Sequence, residues 1–436
     1  MKTKLFNHKT VNVITLGCSK NLVDSEVMLR QLNAAGLQTE HDGASDADVV
    51  IINTCGFIND AKEESINTIL HWSQAKKENR IEKLFVMGCL SERYRHDLEN
   101  EIPEVDGFFG VNDLNAILNA VNAPFRSDLL SERIITTPPH FAYLKISEGC
   151  DRQCSFCAIP GIRGKNISKP VSEVIAEARF LASSGVKEIM LIAQDLTYYG
   201  IDLNGKRQLA DLLEALVKVD GIEWIRLHYA YPAGFPVRVL DVMRNNPKIC
   251  KYIDIPLQHI NSRILKSMKR GLDSSKTREL VEKIRLKVPG IAIRTSFIVG
   301  YPGETAEEFN ELKKFVQEAG FERMGVFTYS HEENTPASKL VDNIRPAVKA
   351  RRAEQLMLLQ QEISTRRNQT LVGTKMKVIV DKAEDGKWIG RTEFDSPEVD
   401  NEVLISVLNN PPIPGQMIEV TITGADMYDL FAEFVS

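Results

Sequence analysis

The chain contains seven cysteines, and three of them, Cys150, Cys154 and Cys157, stand in a C-x3-C-x2-C pattern. Three thiolates this close in sequence can hold three irons of a four-iron cluster, for which a fourth cysteine would otherwise be expected. Without that fourth ligand one iron keeps an open position, where a small molecule can bind and react. The spacing therefore predicts a catalytic iron-sulfur site.

A zinc site is the main alternative for the same three cysteines. Zinc would require a fourth cysteine or histidine at zinc-finger spacing, and the nearest histidine before the group is His140. We therefore favour an iron-sulfur cluster over zinc.

Cys18, Cys55 and Cys89 stand singly in the first quarter of the chain. From Val11 to Ala120, strand-like runs alternate with helical periodicity, which is typical of a doubly wound parallel sheet. Each of the three cysteines follows the end of a predicted strand, in the segments LGC, NTC and MGC. Because the carboxyl ends of parallel strands form a common crevice, we expect the three thiols to converge there. The alternative is that each is simply a small buried hydrophobic residue.

A second alternation of strands and helices begins at Phe141, with six candidate strands from AYLKISEG to MGVFTYS. Six units are too few for the closed eight-unit barrel, so we predict an open, partial (β/α)6 barrel. A long helical stretch follows, and beyond Val372 short alternating strands predict a small antiparallel β-barrel. The chain is thus expected to be α/β with three domains, at residues 9–125, 136–367 and 370–436.

The composition is that of an ordinary globular protein, with 43% hydrophobic and 26% charged residues in 436. No apolar run approaches the roughly 20 residues that a membrane-spanning helix needs. The first residues are interrupted by polar side chains and do not resemble a secretion signal. We therefore expect a cytoplasmic protein with no membrane span.

The cysteine motif at the start of a β/α domain, with Phe156 before its last cysteine, resembles the radical S-adenosylmethionine superfamily. That resemblance implies that Cys150, Cys154 and Cys157 ligate a 4Fe-4S cluster whose open iron binds S-adenosylmethionine. One electron would then cleave this cofactor and start radical chemistry, while the protein positions it and excludes water.

Nearly the whole chain is similar to the methylthiotransferases, a family within that superfamily. The similarity is carried by the segments LGCSKNLVDSEVM, EGCDRQCSFCAIPGIRG, DIPLQH, SFIVGYPGET, YSHEENTPA and DSPEVDNEV. It implies that Cys18, Cys55 and Cys89 hold a second 4Fe-4S cluster, which takes part in sulfur transfer. It also implies that the terminal barrel is an OB-like TRAM domain. The resemblance assigns no catalytic residue beyond these ligands.

Two of these segments, LGCSKNLVDSE and CAIPGIRG, resemble the branch that modifies a ribosomal protein. The implied reaction is methylthiolation of the β-carbon of an aspartate in small-subunit ribosomal protein twelve, with S-adenosylmethionine as both radical source and methyl donor. Methylthiolation of an adenosine in transfer RNA is the alternative, and a non-catalytic iron-sulfur carrier is a weaker one. The activity also implies a reductant protein such as flavodoxin or ferredoxin.

Charge favours the protein substrate over RNA. Residues 370–436 carry twelve acidic and five basic side chains, a net charge of −7 within a chain of net charge −5. Such a barrel repels phosphates, which argues against RNA binding, and it suits a basic ribosomal protein. We expect Glu393, Asp395, Glu398 and Asp400 to lie on the barrel surface and to contact that substrate.

Overall fold

The computed structural model describes residues 10–44, 47–407 and 411–434. The chain divides into two compact units. The first comprises the described residues up to Thr137 together with Tyr143–Arg152 and Ala158–Ile167. The second comprises Pro138–Ala142, Gln153–Cys157 and the described residues from Ser168 onward. The tight cysteine motif therefore lies where the chain passes between units, with Cys150 in the first unit and its two companions in the second.

The first unit is built on five parallel strands in the order β2-β1-β3-β4-β5. Its strands are β1 (Thr10–Thr15), β2 (Gln38–His41), β3 (Val49–Thr54), β4 (Lys83–Gly88) and β5 (Gly107–Phe108). Its helices are α1 (Ser19–Ala34), α2 (Asn59–Lys77), α3 (Cys89–Glu101) and α4 (Leu114–Ala120). This strand order is a doubly wound one, as the sequence predicts.

Apolar side chains bury both faces of this sheet. Along β3, Val49 and Ile51 belong to one hydrophobic core, whereas Val50 and Ile52 belong to the core on the opposite face. Successive strand residues point to opposite faces, so a continuous apolar run needs helices on both sides.

The second unit contains a six-stranded sheet in the order β13-β12-β11-β10-β9-β6. Its strands are β6 (Phe141–Lys145), which continues into the first unit, β9 (Glu188–Ile192), β10 (Trp224–Leu227), β11 (Ile249–Asp254), β12 (Ala292–Val299) and β13 (Arg323–Thr328). Between β6 and β9 along the chain, β7 (Ser147–Glu148) and α5 (Ile159–Arg163) belong to the first unit. Strand β8 (Ile167–Ser168) spans the boundary, and α6 (Val171–Ser183) belongs to the second unit. The other helices that accompany the sheet are α7 (Ile201–Asn204), α8 (Leu209–Leu216), α9 (Arg238–Asn245), α10 (Ser262–Ser267), α11 (Ser274–Lys287) and α12 (Ala306–Ala319). All six predicted strands are present.

Helix α13 (Pro346–Thr370) leads to a closed five-stranded barrel. The barrel strands are β14 (Lys375–Glu384), β15 (Lys387–Thr392), β16 (Val403–Val407), β17 (Met417–Ala425) and β18 (Leu430–Phe434). Four of the strand pairs are antiparallel, whereas β16 and β18 pair in parallel. The predicted barrel is confirmed with this one exception to its antiparallel order. Across the described residues, no helix is both long and apolar enough to span a bilayer.

The barrel packs on the six-stranded sheet through one side of β14. Val378 and Val380 point into the barrel core, whereas Ile379 between them packs against Trp224 and Tyr252 of the sheet. Because successive side chains of β14 point to opposite faces, this strand contributes both to the barrel core and to the contact with the sheet.

Buried ion pairs reinforce this contact. Arg226 of β10 donates from Nε to Glu188 Oε1 at 2.7 Å and from Nη1 to the carbonyl of Glu393 at 2.7 Å. Arg391 of the barrel reaches the other oxygen of Glu188 at 2.8 Å and also binds Asp381 at 2.8 Å. Burial alone would raise the pKa of Glu188, but Arg391 and Arg226 hold it below its usual value.

The expectation that the acidic barrel loop faces solvent is wrong for two of its four residues. Asp395 is 1% exposed and accepts a hydrogen bond from Arg323 Nε at 3.0 Å. The Asp400 side chain is also buried, between the Tyr252 hydroxyl at 2.7 Å and Arg294 at 3.3 Å. These carboxylates neutralise arginines of the six-stranded sheet, so two of the barrel's twelve acidic side chains are paired within the protein.

Replacing Glu188 by Gln should destabilise the chain strongly, because it leaves Arg226 and Arg391 buried with their shared carboxylate removed. Breaking a buried pair in this way costs about 3–5 kcal/mol. The matched control is Glu214→Gln, which removes the same charge from an exposed pair with Arg238 and should cost at most about 1 kcal/mol. Denaturant-induced unfolding measures both; equal, small losses would show that the pairs at Glu188 do not hold the barrel.

Candidate functional site

Three thiols follow three adjacent parallel strands of the first unit. Cys18, Cys55 and Cys89 come after β1, β3 and β4, which are neighbours in the sheet. Helix α1 begins directly after Cys18, and α3 begins at Cys89 itself. Helix N-termini favour negative charge, so these positions suit thiolates.

The side chain of Asn21 ties these strand ends together. Its Nδ2 donates to the carbonyl of Leu16 at 2.8 Å and to the carbonyl of Thr54 at 3.1 Å. Its Oδ1 lies 4.0 Å from the Sγ of Cys89. The two carbonyls lie just before the other two cysteines, so one buried amide links all three cysteine-bearing segments.

Glycines allow these segments to approach closely. A Cβ on Gly17, which has φ of +92°, would lie 2.6 Å from the Cβ of Cys55 and 2.9 Å from its Sγ. A Cβ on Gly56 would lie 2.7 Å from the backbone of Leu90. The segments beside the cysteines therefore pack backbone against side chain at Gly17 and backbone against backbone at Gly56, and any side chain at these glycines would separate them.

Burial opposes the ionisation of two of these thiols, Cys55 and Cys89. Burial, together with the negative charges of Cys18 and Cys89, raises the pKa of Cys55 to about 11. Burial also raises the pKa of Cys89, against the opposing effect of Arg163. Thiolate ligands in such a pocket need positive charge close by, which bound metal supplies.

Arg163 supplies positive charge from the protein itself. It ends α5, belongs to the first unit, and donates from Nε to the Cys89 Sγ at 3.4 Å. The sequence places Arg163 in the segment CAIPGIRG, but nothing in its local pattern predicts a contact with a cysteine 74 residues earlier.

Two cysteines of the tight motif belong to the second unit. The amide of Cys157 donates to the carbonyl of Cys154 at 3.2 Å, so they share one turn. Arg270 donates to the Cys154 Sγ at 3.2 Å and stacks on the Tyr231 ring at 4.3 Å. Cys150 belongs to the first unit, where its Sγ accepts from the amide of Arg152 at 3.4 Å.

The turn that carries Cys154 and Cys157 is anchored within the second unit. The Ser155 hydroxyl lies 2.9 Å from that of Tyr301, and the Ser155 amide donates to the carbonyl of Met268 at 3.0 Å. The Ser155 carbonyl accepts from the amide of Ala337 at 2.7 Å. Loops that follow β11, β12 and β13 therefore hold this turn.

The strand ends of the second unit carry local strain. Tyr229 after β10 and Gln258 after β11 have φ of +62° and +72°, values that non-glycine residues rarely adopt. Such backbone is retained where it is held in place, and it is common at binding sites. His259 beside it is buried, with Nδ1 accepting from the Asn261 amide at 3.0 Å and Nε2 lying 3.1 Å from Glu304.

Both groups of cysteines suit iron-sulfur clusters. The first group combines two buried thiols and one exposed thiol with an arginine donor. In the second group, Arg270 donates to the thiol of Cys154. Within the described parts of the chain, no three cysteine, histidine, aspartate or glutamate side chains form a ready site for a metal ion. A cluster occupies the space between its thiolates, so its ligands stand farther apart than those of a single ion.

Family models match three separate parts of the chain. Residues 10–110 match the family described as Uncharacterized protein family UPF0004, residues 144–316 match the Radical SAM superfamily, and residues 372–435 match the TRAM domain. The three-domain boundaries drawn from the sequence stay a prediction.

Curated relatives cover the chain from end to end. The protein "Ribosomal protein uS12 methylthiotransferase RimO" of Flavobacterium psychrophilum is 56% identical over 99% of this chain and 100% of its own length. The protein of the same name from Cytophaga hutchinsonii is 52% identical over 100% of both chains. The chain belongs to the RimO family of methylthiotransferases.

Solved structures similar to this RimO-family chain support the fold alone. The radical S-adenosylmethionine methyltransferase TsrM from Kitasatospora setae, with cobalamin and a [4Fe-4S] cluster bound, aligns with a TM-score of 0.55 at 14% identity. That alignment covers 76% of this chain and 77% of TsrM. The cobalamin-dependent radical enzyme OxsB aligns with a TM-score of 0.52 at 12% identity, covering 76% of this chain and 55% of OxsB.

Replacing Gly17 by Ala in this RimO-family chain should displace Cys55, because the new Cβ would overlap its side chain. The matched control is Gly36→Ala, which has a similar φ of +86° and nothing within 4 Å of the new Cβ. Both variants should lose about 1–2 kcal/mol to backbone strain, and Gly17→Ala should lose a further ~1–3 kcal/mol to overpacking. Thermal unfolding compares them; equal losses would contradict the close approach at Cys55.

Proposed function

We propose that this chain is a radical S-adenosylmethionine methylthiotransferase that modifies ribosomal protein uS12. The product is a 3-methylthio-aspartyl residue, in which a β-carbon C–H bond has been replaced by C–S–CH3. The observation that carries the proposal is the presence of Cys18, Cys55 and Cys89 at the strand ends of the first unit, in addition to the tight cysteine motif. A radical enzyme with one cluster can serve many reactions, but sulfur transfer needs a second site that holds sulfur.

Two sets of cysteines would hold the two 4Fe-4S clusters. These ligands are Cys18, Cys55 and Cys89 for the cluster of the first unit, and Cys150, Cys154 and Cys157 for the radical cluster. When bound, the clusters and S-adenosylmethionine would supply the electron, the radical, the sulfur and the methyl group. The chain's own contribution is to desolvate Cys55 and Cys89, to fix the three strand ends through Asn21, and to anchor the turn at Ser155.

The substrate assignment rests on full-length similarity more than on charge. Relatives named for uS12 are 52–56% identical over 98–100% of this chain. Barrel acidity contributes less than the sequence suggests, because Asp395 and Asp400 pair with Arg323 and Arg294 of the six-stranded sheet. A flavodoxin or ferredoxin as electron donor, and a cytoplasmic location, remain predictions.

The substrate is tested by offering uS12 and unmodified transfer RNA to the reconstituted enzyme under anaerobic, reducing conditions with S-adenosylmethionine. Mass spectrometry should find a methylthio increment on an aspartate of uS12. An increment on transfer RNA and none on uS12 would favour the alternative reaction. Absence of both 5′-deoxyadenosine and product would favour the non-catalytic carrier.

Iron analysis tests the number of clusters. The reconstituted chain should contain about eight irons, as two four-iron clusters require. Changing Cys150, Cys154 and Cys157 together to Ala should halve that number, because the thiols of the first unit are left intact. Loss of all iron, or of none, in the triple variant would contradict two independent sites.

Replacing Cys55 by Ala should separate the roles of the two sites. Formation of 5′-deoxyadenosine depends on the radical cluster and should persist, whereas methylthiolated uS12 should fall below detection because sulfur transfer needs the first-unit site. Cys250→Ala is the matched control, because Cys250 is also buried but lies in an apolar cluster. Full thiolation by the Cys55→Ala variant would remove this site from the reaction.

A further inference from the structure

Arg163 uses all three of its guanidinium nitrogens inside the first unit. Nε donates to the Cys89 Sγ at 3.4 Å and Nη2 donates to Asn21 Oδ1 at 2.5 Å. Nη1 donates to Glu148 at 2.9 Å and to Asp24 at 3.3 Å. The guanidinium is 2% exposed, so each of these contacts is made away from solvent.

The ion pairs with Asp24 and Glu148 do not by themselves explain why Arg163 directs its Nε at the sulfur of Cys89. Lys145 binds the same Asp24 and Glu148, so two cations already balance two anions in this group. The Lys145 Nζ lies 2.8 Å from a carboxylate oxygen of Glu148, and the Arg163 Nη1 lies 2.9 Å from the same oxygen. Both carboxylates bind the Nη1 of Arg163. The Nε is directed at the Cys89 Sγ instead.

We propose that Arg163 is a positioning residue that tunes the first-unit cluster by donating a charge-assisted hydrogen bond to the thiolate of Cys89. This inference rests on the proposed function, because it requires Cys89 to ligate iron. Hydrogen bonds to ligand sulfur and nearby positive charge stabilise the reduced, more negative form of a cluster. Arg163 therefore raises the reduction potential of this cluster above the value it would have without that donor.

A purely structural role predicts a different result. If Arg163 only braced Asp24 and Glu148, its loss would lower stability and leave the potential of any cluster that still forms unchanged. The reduction potential is thus the measurement that separates the two roles.

The experiment uses the full chain with Cys150, Cys154 and Cys157 changed to Ala, so that any remaining cluster belongs to the first unit. Iron analysis comes first, and redox titration followed by electron paramagnetic resonance then gives the potential. Arg163→Gln should shift the potential to a more negative value, and Arg163→Lys should shift it less, because lysine keeps the charge but loses the planar fork. Iron content should stay near that of the parent.

Arg133→Gln is the matched control. Arg133 is equally buried in the first unit and pairs with Glu26 at 3.1 Å, but its hydrogen bond goes to the carbonyl of Tyr143. Its loss removes the same charge from the same unit and should leave the potential unchanged. A shift as large in Arg133→Gln as in Arg163→Gln would overturn the proposal.

Arg163→Gln leaves Asp24 and Glu148 with one cation fewer, so a second variant, Asp24→Asn with Arg163→Gln, restores the charge balance. This double variant should also show a negative shift, because the hydrogen bond to Cys89 is still missing, but a smaller one, because a nearby negative charge is removed as well. A double variant with the potential of the parent would show that net charge alone caused the shift and would overturn the proposal. An unchanged potential in both variants, or loss of the cluster from every Arg163 variant while Arg133→Gln keeps it, would make Arg163 a structural brace and overturn the inference. A parent triple variant with no iron at all would instead overturn the two-cluster function.

Discussion

A buried thiol becomes a thiolate only at a cost in free energy, unless positive charge lies close to it. In the first unit, burial opposes ionisation of Cys55 and Cys89, and each cysteine's charge would oppose that of its neighbours. The fold answers this constraint with helix N-termini at two of the three positions and with the guanidinium of Arg163. Asp24 and Glu148 pair with Arg163 and Lys145 for a related reason, because a buried cation without a partner is costly.

The parallel sheet makes this gathering possible. Strands β1, β3 and β4 are adjacent, so their carboxyl ends bring together cysteines that are far apart in sequence. Sheet geometry alone leaves the loops free to diverge, and the Asn21 amide removes that freedom by binding the carbonyls of Leu16 and Thr54. The order of the strands thus brings the three cysteine-bearing segments together, and the side chain of Asn21 fixes them relative to one another.

Patterns of apolar residues predicted most of the fold correctly, because long buried strands such as β3 are apolar on both faces. They do not predict the edge strand β2, whose sequence QTEH has no apolar pattern. The strand ends also predict that Cys18, Cys55 and Cys89 converge, and the structure places them after three adjacent strands. The contact of Arg163 with Cys89 could not be predicted, because it joins distant parts of the chain. The prediction that Asp395 and Asp400 face solvent was wrong for a related reason. Acidic residues in a loop can also neutralise buried arginines of another element, and the sequence does not distinguish the two cases.

The barrel's attachment limits how this protein can be re-engineered. Arg226 and Glu188 of the sheet meet Arg391 of the barrel, and Ile379 fills a space between Trp224 and Tyr252. A barrel grafted from a protein that lacks counterparts of Arg391, Asp395 and Asp400 would not match the charges of this surface. Chimeras joined at the end of α13 would therefore bury unmatched charge, and exchange of the barrel needs the partner residues of the sheet to be exchanged with it.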